Sequence, residues 1–189
     1  MSDSFDAIVL AGGRSSRMAS ADLGRDKTRL EVGGVALLDR VLAALPDAAT
    51  VVVVGQQRPV VRDVVWTRED PPGTGPAAAI AAGLSHVTAS RVVLLAGDLP
   101  FATAGLVHRL LDAVRDGGVV VVDAAGHEQW LVSAWQVAAL RTAELAPGAS
   151  LRSALAPLQP TRLVLGRDED AVSLDCDTPE DLQRARELM

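Results

Sequence analysis

Three stretches of this sequence combine residue types that suit phosphate chemistry. The first is Leu10-Ala11-Gly12-Gly13-Arg14-Ser15-Ser16-Arg17-Met18, followed at a distance by Lys27 after Gly24-Arg25-Asp26. Two glycines after an apolar run let the backbone turn sharply and bring amide N–H groups up to an oxyanion. Arg14 and Arg17 add bidentate donors, and Lys27 supplies a third cation. The pattern is neither GxGxxG nor GxxxxGK[ST], so its plainer reading is a solvated loop with basic decoration. The second stretch is Leu94-Leu95-Ala96-Gly97-Asp98-Leu99-Pro100. An acidic residue just past an apolar run presents a carboxylate to a hard cation such as Mg²⁺, which takes one or two carboxylates plus phosphate oxygens and water. Alternatively, Asp98 is a turn residue or the N-cap of a helix starting near Thr103. The third is Asp175-Cys176-Asp177-Thr178-Pro179, in which strand alternation would put Asp175 and Asp177 on one face. One of them would join Asp98 at a metal, or Asp177 simply opens the following helix.

The rest of the inventory narrows the chemistry. Cys176 is the only cysteine, which excludes an intramolecular disulfide and a thiolate cluster. Its acidic neighbours would raise its pKa, so it reads as a small core residue. The three histidines, at 86, 108 and 127, have no zinc spacing. Trp130 and Trp135 flank a short apolar run and read first as core, with a ring stacked on a ligand as the alternative. His127 and Gln129 fall in the turn before it, and Arg109, Arg115 and Arg141 read as solvent-facing charges. The net charge of −6 argues against nucleic acid or an anionic membrane as the main partner. No apolar stretch reaches the roughly 18 residues of a membrane span. With no signal-like N-terminus, a cytoplasmic location is expected.

The elements that must position these residues alternate along the chain. Short apolar runs at Ala7 to Ala11, Val51 to Val54, Val92 to Ala96 and Val119 to Val122 read as strands buried on both faces. Trp130 to Trp135, Leu163 to Leu165 and Val172 to Leu174 are further strand candidates. Helical periodicity over Leu37 to Leu45, stopped by Pro46, is followed by a small-residue helix over Ala77 to Leu84 and another over Leu106 to Val114. Thr178 as N-cap and Pro179 at the first position open a closing helix to Leu188. This order predicts a single α/β domain over residues 1–189, Rossmann-like and doubly wound, with a mostly parallel sheet and helices on both faces. In such sheets the ligand lies beyond the carboxyl ends of the strands, where 15–29, 68–76 and 123–129 form candidate rims.

Taken together, these segments resemble the MobA-type molybdenum cofactor guanylyltransferases, within the nucleotidyltransferase superfamily and its nucleotide-diphospho-sugar transferase-like fold. That family opens with LAGGxSxRMGxDK, here LAGGRSSRM and then GRDK. Its acidic residue and GPLAG-like helix start resemble Asp70 and Gly75-Pro76-Ala77-Ala78-Ala79. Its D-x-P resembles Asp98-Leu99-Pro100, its SLR resembles Ser150-Leu151-Arg152, and its NTPEEL resembles the segment 177–182. The resemblance implies that Leu10, Ala11, Gly12, Gly13 and Arg14 hold the nucleotide, with Arg17 and Lys27 neutralising the triphosphate and the leaving pyrophosphate. It implies that Asp70 and Gly75 meet the guanosine part, that Asp98 and Asp177 hold Mg²⁺, and that the segment after the fourth strand lines the acceptor site. The implied reaction is attack by the molybdopterin phosphate on the α-phosphorus of an NTP, GTP favoured, expelling pyrophosphate. Two departures stand out: an insertion at Ala19 to Leu23, and aspartates at 175 and 177 where the guanylyltransferases usually have asparagines. The aspartate ending is closer to cytidylyltransferases, which makes CTP, or a sugar- or alcohol-phosphate acceptor, the alternative. A nucleotide-binding regulatory protein without turnover is the rival of another class.

Overall fold

A computed structural model describes residues 4–12, 27–166, 169, 171–172, 174–176 and 178–189. Seven strands form one sheet in the order β5-β4-β1-β6-β8-β7-β9. They are β1 (Phe5–Leu10), β4 (Val51–Val54), β5 (Val65–Thr67), β6 (Arg91–Ala96), β7 (Gly118–Val122), β8 (Glu128–Gln136) and β9 (Thr161–Val164). β1 pairs in parallel with β4 and β6, β4 with β5, and β7 with β9. β8 alone runs against its neighbours, β6 and β7. The expected mostly parallel sheet is therefore present, and the run Trp130 to Trp135 lies in its reversed strand.

Alternation along the strands divides the core into two layers. Ala7 and Val9 of β1 face Leu38, Val41 and Leu42 of α1 (Leu37–Ala43) and Leu106, Val107 and Leu110 of α3 (Ala104–Ala113). Ile8 and Leu10 face Ile80 and Leu84 of α2 (Pro76–Leu84), Leu140 of α4 (Val137–Leu140) and Leu155 of α5 (Leu151–Leu155). Continuous apolar strands are what two covered faces require. A smaller cluster joins Val32, Leu37 and Cys176 to Leu182 and Ala185 of α6 (Pro179–Glu187). Cys176 is thus the core residue its sequence context suggested. Thr178 caps α6 in a reciprocal capping box with Asp181, as the sequence led one to expect of its N-cap.

Two features differ from the sequence expectations. Val172 to Leu174 is not a strand: 171–172 form a short helical turn, Leu174 is irregular, and 173 lies outside the described residues. Two apolar residues on either side of Ser173 are too few to compete for a sheet edge that β9 already occupies. Conversely, β2 (Glu31–Val32) and β3 (Val35–Ala36) form a separate antiparallel hairpin turned by Gly33 and Gly34. The lower edge of the sheet is tied by Asp6, fully buried in β1. Its carboxylate accepts from the backbone N–H of Thr50 at 3.0 Å, Thr88 at 2.8 Å and Ala89 at 2.9 Å.

Candidate active site

The carboxyl ends of β1, β4 and β6 meet at one point. Ala11 N–H donates to the Val54 carbonyl at 2.9 Å, extending the β1–β4 ladder to the first glycine. Gly97 N–H donates to the Leu10 carbonyl at 2.9 Å from the other side. Gly55 lies so close that a Cβ there would stand 2.9 Å from the carbonyl carbon and oxygen of Ala11 and 3.1 Å from the Gly12 nitrogen. A side chain at 55 would therefore collide with backbone, which cannot rotate away. Leu10 and Ala11 are buried and Gly12 is exposed, so the chain passes from core to surface at the start of the glycine pair. Gly13, Arg14, Arg17 and the insertion at Ala19 to Leu23 lie outside the described residues.

The chain returns at Lys27–Arg29, a single helical turn. Thr28 is buried, and the Arg58 guanidinium, three residues beyond Gly55, bonds its hydroxyl. This tie sets the backbone of Lys27 beside the segment leaving β4; its side chain is outside the described set.

Asp98 follows Gly97 at the end of β6 and is 4% exposed. It is not the N-cap of α3, because Thr103 fills that place, accepting from Leu106 N–H at 3.2 Å. The Asp98 carbonyl instead accepts from Cys176 N–H at 3.3 Å. The Asp98 backbone is thereby adjacent to Cys176; Asp175 is exposed and Asp177 lies outside the described residues. Among the described residues, no three Asp, Glu, His or Cys side chains gather as a metal-binding group. One buried carboxylate with a second acidic position nearby fits Mg²⁺, which keeps most of its shell for water and phosphate oxygens.

Asp70 is exposed, in the loop between β5 and α2. That loop is folded on itself: Glu69 accepts from Gly73 N–H at 2.9 Å, and the Thr74 hydroxyl donates to the Pro71 carbonyl at 3.0 Å. Gly75, with φ at +99°, is the N-cap of α2, and Pro76 takes the first helical position. The Thr74 carbonyl also accepts from Gly148 N–H at 2.7 Å, which ties this loop to the segment before α5.

One strand further along the same edge lies a cleft of about 370 Å³, lined by Val122, Gly126, His127, Glu128, Trp130, Arg152 and Arg162. It combines a half-buried indole, an imidazole and two guanidinium groups. Glu128 accepts from Arg162 Nε at 3.0 Å and Nη2 at 2.7 Å. The Arg152 guanidinium has no hydrogen bond or ion pair among the described residues. Of the two tryptophans weighed from sequence, Trp130 faces the cleft. Trp135 is wholly buried, its indole N–H donating to Ser133 Oγ at 2.9 Å. Glu128 and Arg162 were not candidates from sequence, because an arginine on an edge strand carries no local signal. Arg109, read as solvent-facing, pairs with Glu169 on the surface and holds that carboxyl below its ordinary value by hydrogen bonding.

A mostly parallel sheet with a buried aspartate at the carboxyl end of β6 and a cleft further along the same edge is the arrangement of a nucleotidyltransferase-type α/β fold. The chain belongs to the MobA-like NTP transferase family, whose domain model matches residues 7–161. A molybdenum cofactor guanylyltransferase of Rhodobacter capsulatus is 31% identical over 190 residues, covering 96% of this chain and 95% of its own. Among solved structures, a nucleotidyl transferase from Methanothermobacter thermautotroptrophicus superposes with a TM-score of 0.76 at 22% identity, covering 98% of this chain and 97% of its own. A 2-C-methyl-D-erythritol 4-phosphate cytidylyltransferase from Thermus thermophilus gives 0.70 at 21%, covering 97% and 98%. No helix among the described residues is long and apolar enough to cross a membrane.

Proposed function

We propose that this chain, as one nucleotidyltransferase domain, transfers the guanylyl group of GTP to the phosphate of molybdopterin and releases pyrophosphate. The observation that carries the reading is the convergence of the exit of β1 at Leu10 to Gly12 with Gly55, Gly97 and Asp98 at one sheet edge. The guanylyltransferase relative matched over nearly its full length supports the base and the acceptor. The backbone at Ala11 to Gly13 and the cations Arg14, Arg17 and Lys27 receive the triphosphate. Asp70 and Gly75 lie on the base side, and the cleft at Trp130 receives the acceptor. A phosphate oxygen of the acceptor attacks the α-phosphorus, and the bond from the α-phosphorus to the bridging oxygen breaks. The electron pair leaves on pyrophosphate. The nucleophile is already ionised, so no general base is required.

Asp98 would hold Mg²⁺ together with Asp177 or Asp175. When bound, that ion supplies charge neutralisation at the α- and β-phosphates. The protein's own contribution is positioning, since the cleft and the exit of β1 at Gly12 lie on one edge. A thermal-shift panel of the four NTPs with Mg²⁺ tests the reading. GTP at 100 times its Kd adds about 2.7 kcal/mol, roughly 5–11 °C for a chain of this size. A larger shift with CTP makes the aspartate ending the better guide to the base. Absence of pyrophosphate release with GTP and molybdopterin overturns the reaction.

A further inference from the structure

The wall of the cleft is built by the hairpin loop between β7 and β8, and one side chain organises that loop. Asp123 follows the last residue of β7, and its side chain is only 13% exposed. Oδ1 accepts from the backbone N–H of Ala125 at 3.0 Å and of His127 at 2.8 Å. Oδ2 accepts from Gln129 Nε2 at 2.8 Å and lies 3.5 Å from His127 Nδ1. The backbone closes the same loop, with Asp123 N–H donating to the His127 carbonyl at 3.0 Å and Gly126 N–H to the Asp123 carbonyl at 3.0 Å. Burial pushes the Asp123 carboxyl up, but the bonds from His127, Gln129 and Ala125 outweigh it and hold the group below its ordinary value. The carboxylate is therefore ionised and engaged from three directions.

Of the residues it grips, His127 itself lines the cleft, and Ala125 and Gln129 stand next to lining residues in the chain. Gly126, His127, Glu128 and Trp130 form the wall, whereas Asp123, Ala125 and Gln129 form its backing. The His127 ring is 77% exposed, so packing does not orient it; the Asp123 carboxylate is its nearest charged neighbour on this loop. Across the cleft stand Arg152 of α5 and Arg162 of β9, the latter tied to Glu128. A loop of five residues with no apolar anchor loses its shape when its internal hydrogen bonds go, because ordering each residue costs conformational entropy. We propose that Asp123 is a positioning residue for the acceptor: it fixes the hairpin loop so that His127 and Trp130 face an anionic, planar ligand opposite Arg152. It does not touch the reacting atoms. This rests on the acceptor reading of the cleft given above.

Two variants separate the role from a general loss of structure. Asp123→Ala removes every side-chain acceptor, whereas Asp123→Asn keeps one oxygen for the Ala125 and His127 amides. In pyrophosphate-release assays, Asp123→Ala raises the KM for molybdopterin about tenfold, with kcat and the KM for GTP held within twofold. Asp123→Asn recovers most of that loss. Amide exchange at Ala125 and His127 accelerates in the alanine variant and stays close to wild type in the asparagine variant. An unchanged acceptor KM in Asp123→Ala, a fall in kcat alone, or unaltered exchange overturns the positioning role while leaving the transferase reading intact. A wild-type chain with no turnover on molybdopterin overturns the transferase reading and the role that rests on it. The exchange measurement still decides whether Asp123 holds the loop.

Discussion

Replacing Gly55 by alanine tests how tightly the exit of β1 is built. The added Cβ would stand 2.9 Å from the carbonyl carbon and oxygen of Ala11 and 3.1 Å from the Gly12 nitrogen. Those atoms belong to the backbone of β1 at its exit, held by bonds to Val54 and by Gly97 on the far side. Relief requires β1 and β4 to part by several tenths of an ångström where the core is closed. Overpacking of this kind costs about 1–3 kcal/mol, or roughly 2–12 °C in Tm for a chain of this size. Gly12→Ala is the control. Its Cβ would meet the Val54 oxygen at 3.5 Å and the Gly55 Cα at 3.6 Å, both ordinary contacts, so its stability stays within about 0.5 kcal/mol of wild type. Since Gly55→Ala displaces the entry to the nucleotide turn, its GTP affinity falls as well, by roughly tenfold. Circular-dichroism melts and titration calorimetry with GTP read both effects. A Gly55→Ala protein that melts within a degree of wild type, or a Gly12→Ala protein that falls as far, refutes the packing argument.

Asp98→Asn is nearly isosteric and leaves the melt within a few degrees of wild type. It cuts pyrophosphate release by about 10²–10³ at saturating Mg²⁺, so near-normal turnover removes the metal role from Asp98. Asp6→Ala leaves the buried N–H groups of Thr50, Thr88 and Ala89 without their acceptor and costs about 3 kcal/mol. GTP affinity stays unchanged because Asp6 is at the opposite sheet edge; a weakened Kd at unchanged Tm contradicts this. Asp123 contributes stability that is complete above the ordinary aspartate range of about 4. It is lost as pH falls through the lowered folded value. The Tm difference between wild type and Asp123→Asn therefore closes in acid, and a gap that persists at pH 2 speaks against it.

The parts of the molecule that sequence conveyed are those whose signals are local. Ala7 to Gly12 declares itself because a doubly covered strand must be apolar throughout and must then turn. Thr178-Pro179-Glu180-Asp181 declares a helix start because its partners are three residues apart. The β2–β3 ribbon, turned at Gly33-Gly34, did not declare itself because its strands are only two residues each. Asp6 could not be interpreted, because its partners stand 44, 82 and 83 positions away. The direction of β8 was equally hidden, since apolar content does not record whether a neighbour runs parallel. On the candidate site, the Cys176–Asp98 backbone bond sets the stretch before Thr178 beside the end of β6, a long-range contact that local spacing does not record. The cleft wall at Glu128 and Arg162 was not foreseen, because it joins a hairpin to an edge strand about thirty residues later.

The reversed strand has a consequence for the order in which the chain can assemble. β6 and β7 are two positions apart in the sheet, and the place between them is filled only by β8, which is synthesised after both. Until residue 136 leaves the ribosome, Val92 to Leu95 present an open, apolar edge, the feature that makes partly folded chains associate. The slot is keyed by a single fit. Trp135 pairs with Val92 on one side and Gly118 on the other, and a Cβ at 118 would fall 2.2 Å from its ring. Insertion of β8 therefore moves one indole from water into a site with no exposure, at the step that joins the β5-β4-β1-β6 half of the sheet to β7 and β9. Trp135 is in this sense the natural clock of assembly: its burial marks the moment at which a nascent chain with an adhesive flank becomes a closed sheet with both halves of its edge in register.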